Sequence, residues 1–159
     1  MSKICIGIDP GKSGGVAIID GDIVLVTTML LAGKDVDVAA MAGWIRDNTL
    51  IYNEGNVIAC IEKVHAMPGN GVSSMFKFGF VTGIMHGIIG TLGIPLHMVT
   101  PQAWKKNVLA GTPKDKDAAI DFCRRVYPKV SLLATSRSRK AHSGIADALC
   151  IARHAQETF

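Results

Sequence analysis

The chain has 159 residues, of which 48% are hydrophobic and 19% are charged. This length and balance fit one globular domain with a sizeable core, so we expect a single domain over residues 1–159. The formal net charge of +4 permits a polyanionic partner without requiring one, and no basic segment followed by a signal-like apolar stretch opens the sequence.

The first stretch predicts a β-hairpin. Residues 4–9 are apolar and rich in β-branched side chains, and they end at Asp9. A Pro-Gly turn and a second apolar run over residues 15–19 follow. Asp9 therefore lies where the first strand ends, although aspartate is also common at turns because it caps backbone N–H groups. The Gly11-Lys12-Ser13 triplet does not make a P-loop, since only three residues separate Gly7 from Gly11 and that motif requires four.

The next segments predict a third strand, a helix and a fourth strand. A turn over residues 20–22 precedes a strand over 23–28, so the first three strands should form an antiparallel meander. Residues 34–37 are polar and predict a loop. Apolar residues at helical spacing then predict a helix to about Tyr52. Residues 57–61 are continuously apolar, as in a strand covered on both faces, and they end at Glu62.

The second half predicts mostly helices. An irregular loop over 64–72 precedes a long helix to Leu92, with glycines that allow close packing on the sheet or a second subunit. A strand over 94–99 follows, then a short helix from Pro101, a helix over 112–127, a basic loop over 131–140 and a final helix over 145–156. The order predicts an α/β fold with a five-stranded mixed sheet, three antiparallel strands and then two parallel ones, flanked by helices.

Two further patterns bear on the environment of the protein. The most apolar window, residues 81–99, carries two histidines, a proline and several glycines, which favours a buried helix and a strand over a membrane span. The four cysteines have no metal-ligand spacing and fall in predicted strands and helices, which favours reduced core thiols. We therefore expect a cytoplasmic protein with no membrane partner.

Three acidic residues stand apart from the other ten. Asp9 and Glu62 each follow a hydrophobic strand, and Asp147 lies near the start of an alanine-rich helix. Partly buried carboxylates without basic residues among them need cations, and Mg²⁺ or Mn²⁺ prefers oxygen ligands. Two such ions support phosphodiester cleavage. Taken singly, Glu62 could be a solvated strand end and Asp147 a helix N-terminal acid.

The chain resembles the RuvC-type Holliday junction resolvases of the RNase H-like superfamily, particularly the small phage-encoded members. The resemblance runs nearly end to end, and it is carried by residues 7–11 with Gly14-Gly15, by 61–64, by 100–106 and by 146–149. It implies an RNase H-like fold and a homodimeric nuclease that cuts opposed strands of four-way DNA junctions. It also implies that Asp9, Glu62 and Asp147 are catalytic metal ligands for two Mg²⁺ or Mn²⁺ ions.

The sequence departs from this family at its fourth ligand, which lies one turn before the last acid. Residues 142–144 are His142, Ser143 and Gly144, none of them acidic. His142 is a candidate metal ligand or general base, with a surface histidine as the alternative. Ser143 occupies the position where phage relatives often carry aspartate, and the sequence leaves open whether the serine is natural or an engineered replacement.

Basic residues supply candidate DNA contacts. In this fold they would flank the acidic cleft and neutralise phosphates, with scattered solubilising charges as the alternative. His65, in the loop after Glu62, is a candidate for stacking on junction bases. The basic candidates are Lys12, Lys105, Lys106, Lys114, Lys116, Arg137, Arg139 and Lys140.

We therefore expect a metal-dependent endonuclease that acts on Holliday junctions and other branched DNA, including forks and flaps. One alternative is a junction-binding protein with weak or no cleavage, because the fourth acid is absent. Another is a fragment of an actin-like or hexokinase-like ATPase, since the first turn resembles their phosphate-binding hairpin. That class needs two such domains and more than twice this length.

Overall fold

The computed structural model describes residues 3–49 and 56–159. Over these residues the strands are β1 (Ile4–Asp9), β2 (Gly15–Asp20), β3 (Ile23–Thr28), β4 (Leu31–Ala32), β5 (Asp35–Val36), β6 (Val57–Glu62) and β7 (Leu96–Val99). The helices are α1 (Val38–Thr49), α2 (Val72–Thr91), α3 (Pro101–Val108), α4 (Ala118–Val126) and α5 (Ser143–Thr158).

Five strands form one mixed sheet in the order β3-β2-β1-β6-β7. Strand β2 pairs antiparallel with both β1 and β3, whereas β6 runs parallel to β1 and β7 runs parallel to β6. The predicted fold class, with three antiparallel strands and then two parallel ones, is confirmed. In the β1–β6 pair Ile8 lies opposite Ile61, so the next residues, Asp9 and Glu62, leave the sheet side by side.

Strands β1, β2 and β6 are buried on both faces because helices cover each side of the sheet. Alternate residues of a strand point to opposite faces. Along β1, Cys5 joins the core under α3, α4 and α5, while Ile6 and Ile8 join the core under α1 and α2. This explains why β1 and β6 are continuously apolar rather than alternating.

Helix α5 lies unusually close to β1 and β2 because glycines face each other there. A Cβ atom on Gly7 would overlap the backbone of Ala148 and Ala152, and one on Gly144 would overlap the backbone of Ser13 and Gly14. No larger residue fits at either contact without moving the helix. The close approach brings the first turns of α5 to the end of β1.

Several predicted boundaries differ from the structure. Lys114 and Lys116 precede α4, which begins only at Ala118, because the Asp115 side chain accepts a hydrogen bond from the Asp117 backbone and holds a turn. The last sheet strand begins at Leu96, two residues later than expected. The predicted loop over 34–37 contains β5, which pairs with β4. The predicted helix end near Tyr52 lies outside the described residues.

Helix α2 covers the sheet with one side only. Val81, Met85 and Ile89 are in the core, whereas Phe76 and Phe80 are 73% and 56% exposed. The glycines at 79, 83, 87 and 90 face open space and do not pack against the sheet. Within residues 3–49 and 56–159, α2 is the helix that is long and apolar enough to cross a bilayer, and 22% of its apolar 18-residue segment is buried.

The glycine contact between β1 and α5 leads to a first prediction. Replacing Gly7 by alanine should destabilise the protein by about 3 kcal/mol, because the added methyl group would have to push backbone apart in a packed core. Replacing Gly43 on α1 by alanine is the control. A Cβ atom there meets only the Arg46 side chain, at 4.0 Å, so this change should raise stability by about 0.5–1 kcal/mol. Urea unfolding followed by circular dichroism measures both, and equal effects would contradict the close packing.

Candidate active site

Two carboxylates leave the sheet from adjacent strand ends. Asp9 is the last residue of β1 and Glu62 the last of β6, and both side chains are half-buried. After Asp9 the chain turns sharply at Gly11, whose φ of 129° is rarely adopted by other residues. The turn is closed by a hydrogen bond from the Gly14 N–H to the Gly11 carbonyl, at 3.0 Å.

The third carboxylate comes from α5. Asp147 is half-buried between Ala146 and Ala148, which are fully buried on the sheet side of the helix. Because α5 crosses β1 and β2 at glycine contacts, Asp147 lies near the strand ends. The structure therefore brings together the three acids that the sequence singled out.

The electrostatics of the cluster reflect this convergence. Burial, and then repulsion by Asp147 and Glu62, raises the pKa of Asp9 to about 8. Burial, and then repulsion by Glu62, raises the pKa of Asp147 to about 6. Lys105 opposes both shifts through its charge. Without a cation, the folded protein thus favours a protonated Asp9 at neutral pH.

Glu62 has a hydrogen-bond donor that the sequence reasoning missed. The indole Nε1–H of Trp104 donates to Oε2 of Glu62 at 2.6 Å, from a side chain that is fully buried in the core. Lys105 holds its ammonium 5.3 Å from the centre of the Trp104 ring. The available signal was Trp104 in a short helix directly after the last sheet strand, where its ring would face the end of the neighbouring β6.

The donor chemistry of the three acids suits a hard divalent cation, because these ions prefer carboxylate oxygens. Asp9 and Asp147 are repelled by the neighbouring carboxylates, and neither accepts a hydrogen bond from a side chain of the described residues. Residues 3–49 and 56–159 contain no group of three His, Cys, Asp or Glu side chains close enough to bind one ion together. The carboxylates nevertheless lie close enough for Asp147 and Glu62 to act electrostatically on Asp9.

The two other candidate ligands lie at the start of α5. His142 caps the helix, with its Nδ1 accepting the Ile145 N–H at 3.3 Å. In that arrangement the imidazole is neutral and its proton is on Nε2, so metal binding or base catalysis through Nε2 would require another tautomer and loss of the cap. Ser143 is exposed and lies one helical turn before Asp147.

A large open cavity extends away from the acids between α3, the loop before α4, and the start of α5. Its volume is about 1350 Å³. Asp147 and Ser143 lie at its wall together with four of the basic residues selected from the sequence. These residues are Lys105, Lys106, Lys114 and Lys116.

The remaining basic candidates and His65 do not line this cavity. Lys12 is exposed on the turn that follows Asp9, and His65 is exposed in the segment after Glu62. Arg137, Arg139 and Lys140 are exposed on a loop. That loop is fastened at its base by a β-bridge between Leu133 and Ala141.

Comparison with solved structures identifies the architecture. The RuvC structure from Thermus thermophilus in complex with a Holliday junction substrate matches 98% of this chain and 94% of its own, with a TM-score of 0.64 and 15% identity. A second Thermus thermophilus RuvC structure matches 96% and 93%, with a TM-score of 0.58 and 20% identity. The chain has a RuvC-type, RNase H-like fold. No protein-family model matches the sequence, and no curated protein matches it either.

This RuvC-type fold confirms the resemblance noted in the sequence at the level of architecture. The match covers nearly the whole of both chains. At 15% and 20% identity the similarity shows the fold and not the function of individual residues.

The raised pKa of Asp9 leads to a second prediction, for the metal-free protein. The unfolded chain ionises Asp9 near 3.8 and the folded chain near 8, so the folded state holds more protons between these values and loses stability as pH rises through them. Asp9→Asn cannot ionise. Its stability relative to the wild type should therefore increase by about 4 kcal/mol between pH 5 and pH 9, because about three pH units of that interval lie between the two pKa values.

Urea unfolding in EDTA at both pH values measures this difference. Asp22→Asn, at an exposed turn, is the control and should follow the wild type at both pH values. Parallel curves for Asp9→Asn and the wild type would contradict a buried, repelled Asp9.

Proposed function

We propose that this protein is a divalent-metal-dependent endonuclease that cuts Holliday junctions and related branched DNA. The single observation that carries the proposal is the convergence of Asp9, Glu62 and Asp147 beside a lysine-lined cavity. A metal site next to a basic groove suits phosphodiesters, because the backbone of nucleic acid is polyanionic. The Holliday junction bound in the similar Thermus thermophilus RuvC structure supports the choice of branched DNA.

Each residue of the site has a distinct proposed role. Asp9, Glu62 and Asp147 would hold two Mg²⁺ or Mn²⁺ ions. When bound, such ions lower the pKa of water and neutralise charge on a phosphodiester. Lys105, whose charge already acts on Asp9 and Asp147, would bind the phosphate beside the cleaved bond. Cleavage with a 5′-phosphate and a 3′-hydroxyl product is the outcome we expect.

A labelled four-way junction incubated with Mg²⁺ tests the proposal. The wild type should make paired nicks in opposed strands, whereas Asp9→Asn should bind the junction and lose at least about 100-fold in cleavage rate, because an amide is a poor ligand for a hard cation. Asp22→Asn is the control of equal charge change. Full activity of Asp9→Asn, or no nicking by the wild type under any divalent cation, would contradict the nuclease proposal.

One competing function is favoured by a specific observation. Residues 142–144 provide no acid, and Ser143 occupies the exposed position one turn before Asp147. A protein with an incomplete ligand set would bind junctions without cutting them. In the same assay this alternative predicts retarded migration without nicks, and a gain of Mg²⁺-dependent cleavage in Ser143→Asp.

The cavity beside the acids is the proposed path for one DNA strand. Its four lysines line the cavity together with Asp147 and with apolar residues such as Leu109 and Ile120. Lys106→Ala combined with Lys116→Ala should weaken junction binding and reduce the slope of log affinity against log salt concentration by roughly 1.5–2, since two phosphate contacts are lost.

Lys34→Ala combined with Lys129→Ala removes the same charge from exposed positions that do not line the cavity. These control changes should leave the slope within about 0.5 of the wild-type value. Equal loss of slope in both double variants would contradict a strand path through the cavity and would favour diffuse charge attraction.

We further propose that the protein acts as a homodimer that pairs through α2. Phe76 and Phe80 stack with ring centres 6.4 Å apart on the exposed side of the helix, which also carries Val72, Gly83 and Gly87. An exposed apolar face of this kind is costly in water, and a flat glycine surface allows a second helix to approach closely. Sedimentation equilibrium should give twice the 16.9 kDa chain mass, and the chain mass alone at micromolar concentration would contradict pairing.

A further inference from the structure

Trp104 links the hydrophobic core to the acidic site. Its ring lies in the core under α3 and α5 with none of its surface exposed. Its Nε1–H donates to the Oε2 atom of Glu62 at 2.6 Å, and the Lys105 ammonium lies 5.3 Å from its ring centre. Since packing on every side fixes the ring, the position of this donor is fixed as well.

The donor is unusual in being neutral. Lys or Arg in this place would cancel the charge of Glu62, whereas an indole N–H orients a carboxylate and leaves its negative charge in place. One oxygen of Glu62 is committed to Trp104, and the other oxygen has no hydrogen-bond partner among the described residues.

Glu62 differs in this respect from its two neighbours. Neither Asp9 nor Asp147 accepts a hydrogen bond from a side chain within residues 3–49 and 56–159. The cluster therefore combines one carboxylate anchored to the core with two that depend on a cation for compensation of their charge. The anchored residue provides the fixed point of the site.

Filling the core does not by itself require this N–H group. Phenylalanine would occupy much of the same apolar space, and burying an indole N–H costs free energy unless it finds an acceptor. Trp44, on α1, packs against the opposite core and has no acceptor for its indole among the described residues. The two tryptophans thus form a natural pair for comparison.

We propose that Trp104 is a positioning residue that holds Glu62 in the orientation in which it binds a divalent cation. This inference rests on the proposed nuclease function, since it assigns Glu62 to the cation site. Loss of the indole N–H should let the Glu62 side chain adopt other rotamers. Hydrogen-bond partners of metal ligands contribute about 10-fold to 100-fold to metal affinity in other proteins.

The test compares Trp104→Phe with Trp44→Phe. Titration of each protein with Mn²⁺ in a calorimeter, without DNA, should show cation affinity about tenfold weaker for Trp104→Phe and unchanged for Trp44→Phe. The Mg²⁺ concentration that gives half-maximal junction cleavage should rise by a similar factor, with the maximal rate largely restored at high Mg²⁺. Unchanged Mn²⁺ affinity in Trp104→Phe, or recovery at no Mg²⁺ concentration, would overturn the positioning role.

A second measurement applies even where Trp104→Phe folds poorly. The two indole N–H groups give separate signals in a ¹H–¹⁵N spectrum of the unmodified protein. The Trp104 signal should move on Mg²⁺ addition and in Glu62→Gln, while the Trp44 signal stays. An unchanged chemical shift of the Trp104 indole N–H in Glu62→Gln would overturn the inference.

The two proposals fail in different ways. A wild-type protein that binds no Mn²⁺ and cuts no junction contradicts the nuclease function itself. A wild-type protein that does both, with the same Mn²⁺ affinity in Trp104→Phe, contradicts only the role of Trp104.

Discussion

The constraint on which the site depends is the burial of Asp9 and Asp147 close to each other and to Glu62. Their placement is costly, because burial favours the neutral acid and each negative charge disfavours the next. Lys105 relieves Asp9 and Asp147 only in part. The cluster therefore has a local shortage of positive charge, which the divalent cations of the proposed nuclease would supply.

Different helices cover the two faces of the sheet. Helices α3, α4 and α5 cover one side and bring Trp104, Lys105 and Asp147 to the strand ends. Helices α1 and α2 cover the other side and leave an apolar outer surface. The same strands serve both faces because their residues alternate between two cores, so the proposed chemistry and the proposed pairing are built on one shared support.

Much of the site could be predicted because the ends of buried strands can be recognised in the sequence. Continuous apolar runs that stop at Asp9 and Glu62 locate two acids, and buried alanines around Asp147 locate the third. The hydrogen bond of Trp104 was missed because it joins residues 42 positions apart, and the place of Trp104 just after the last sheet strand was its one local sign. The start of α4 was misplaced because the side chain of Asp115 competes with the helix for backbone hydrogen bonds. The sequence suggested His142 as a metal ligand or general base, whereas in the structure its side chain caps the backbone of α5.

Phe78 on α2 rests against the turn that follows Asp9. A side chain at Gly11 would meet the Phe78 ring at 3.0 Å, so the ring and the bare glycine fit together. The helix that carries the exposed apolar surface is therefore in mechanical contact with the loop adjoining the first carboxylate. A change in the position of α2 would therefore reach the turn beside Asp9 through this contact.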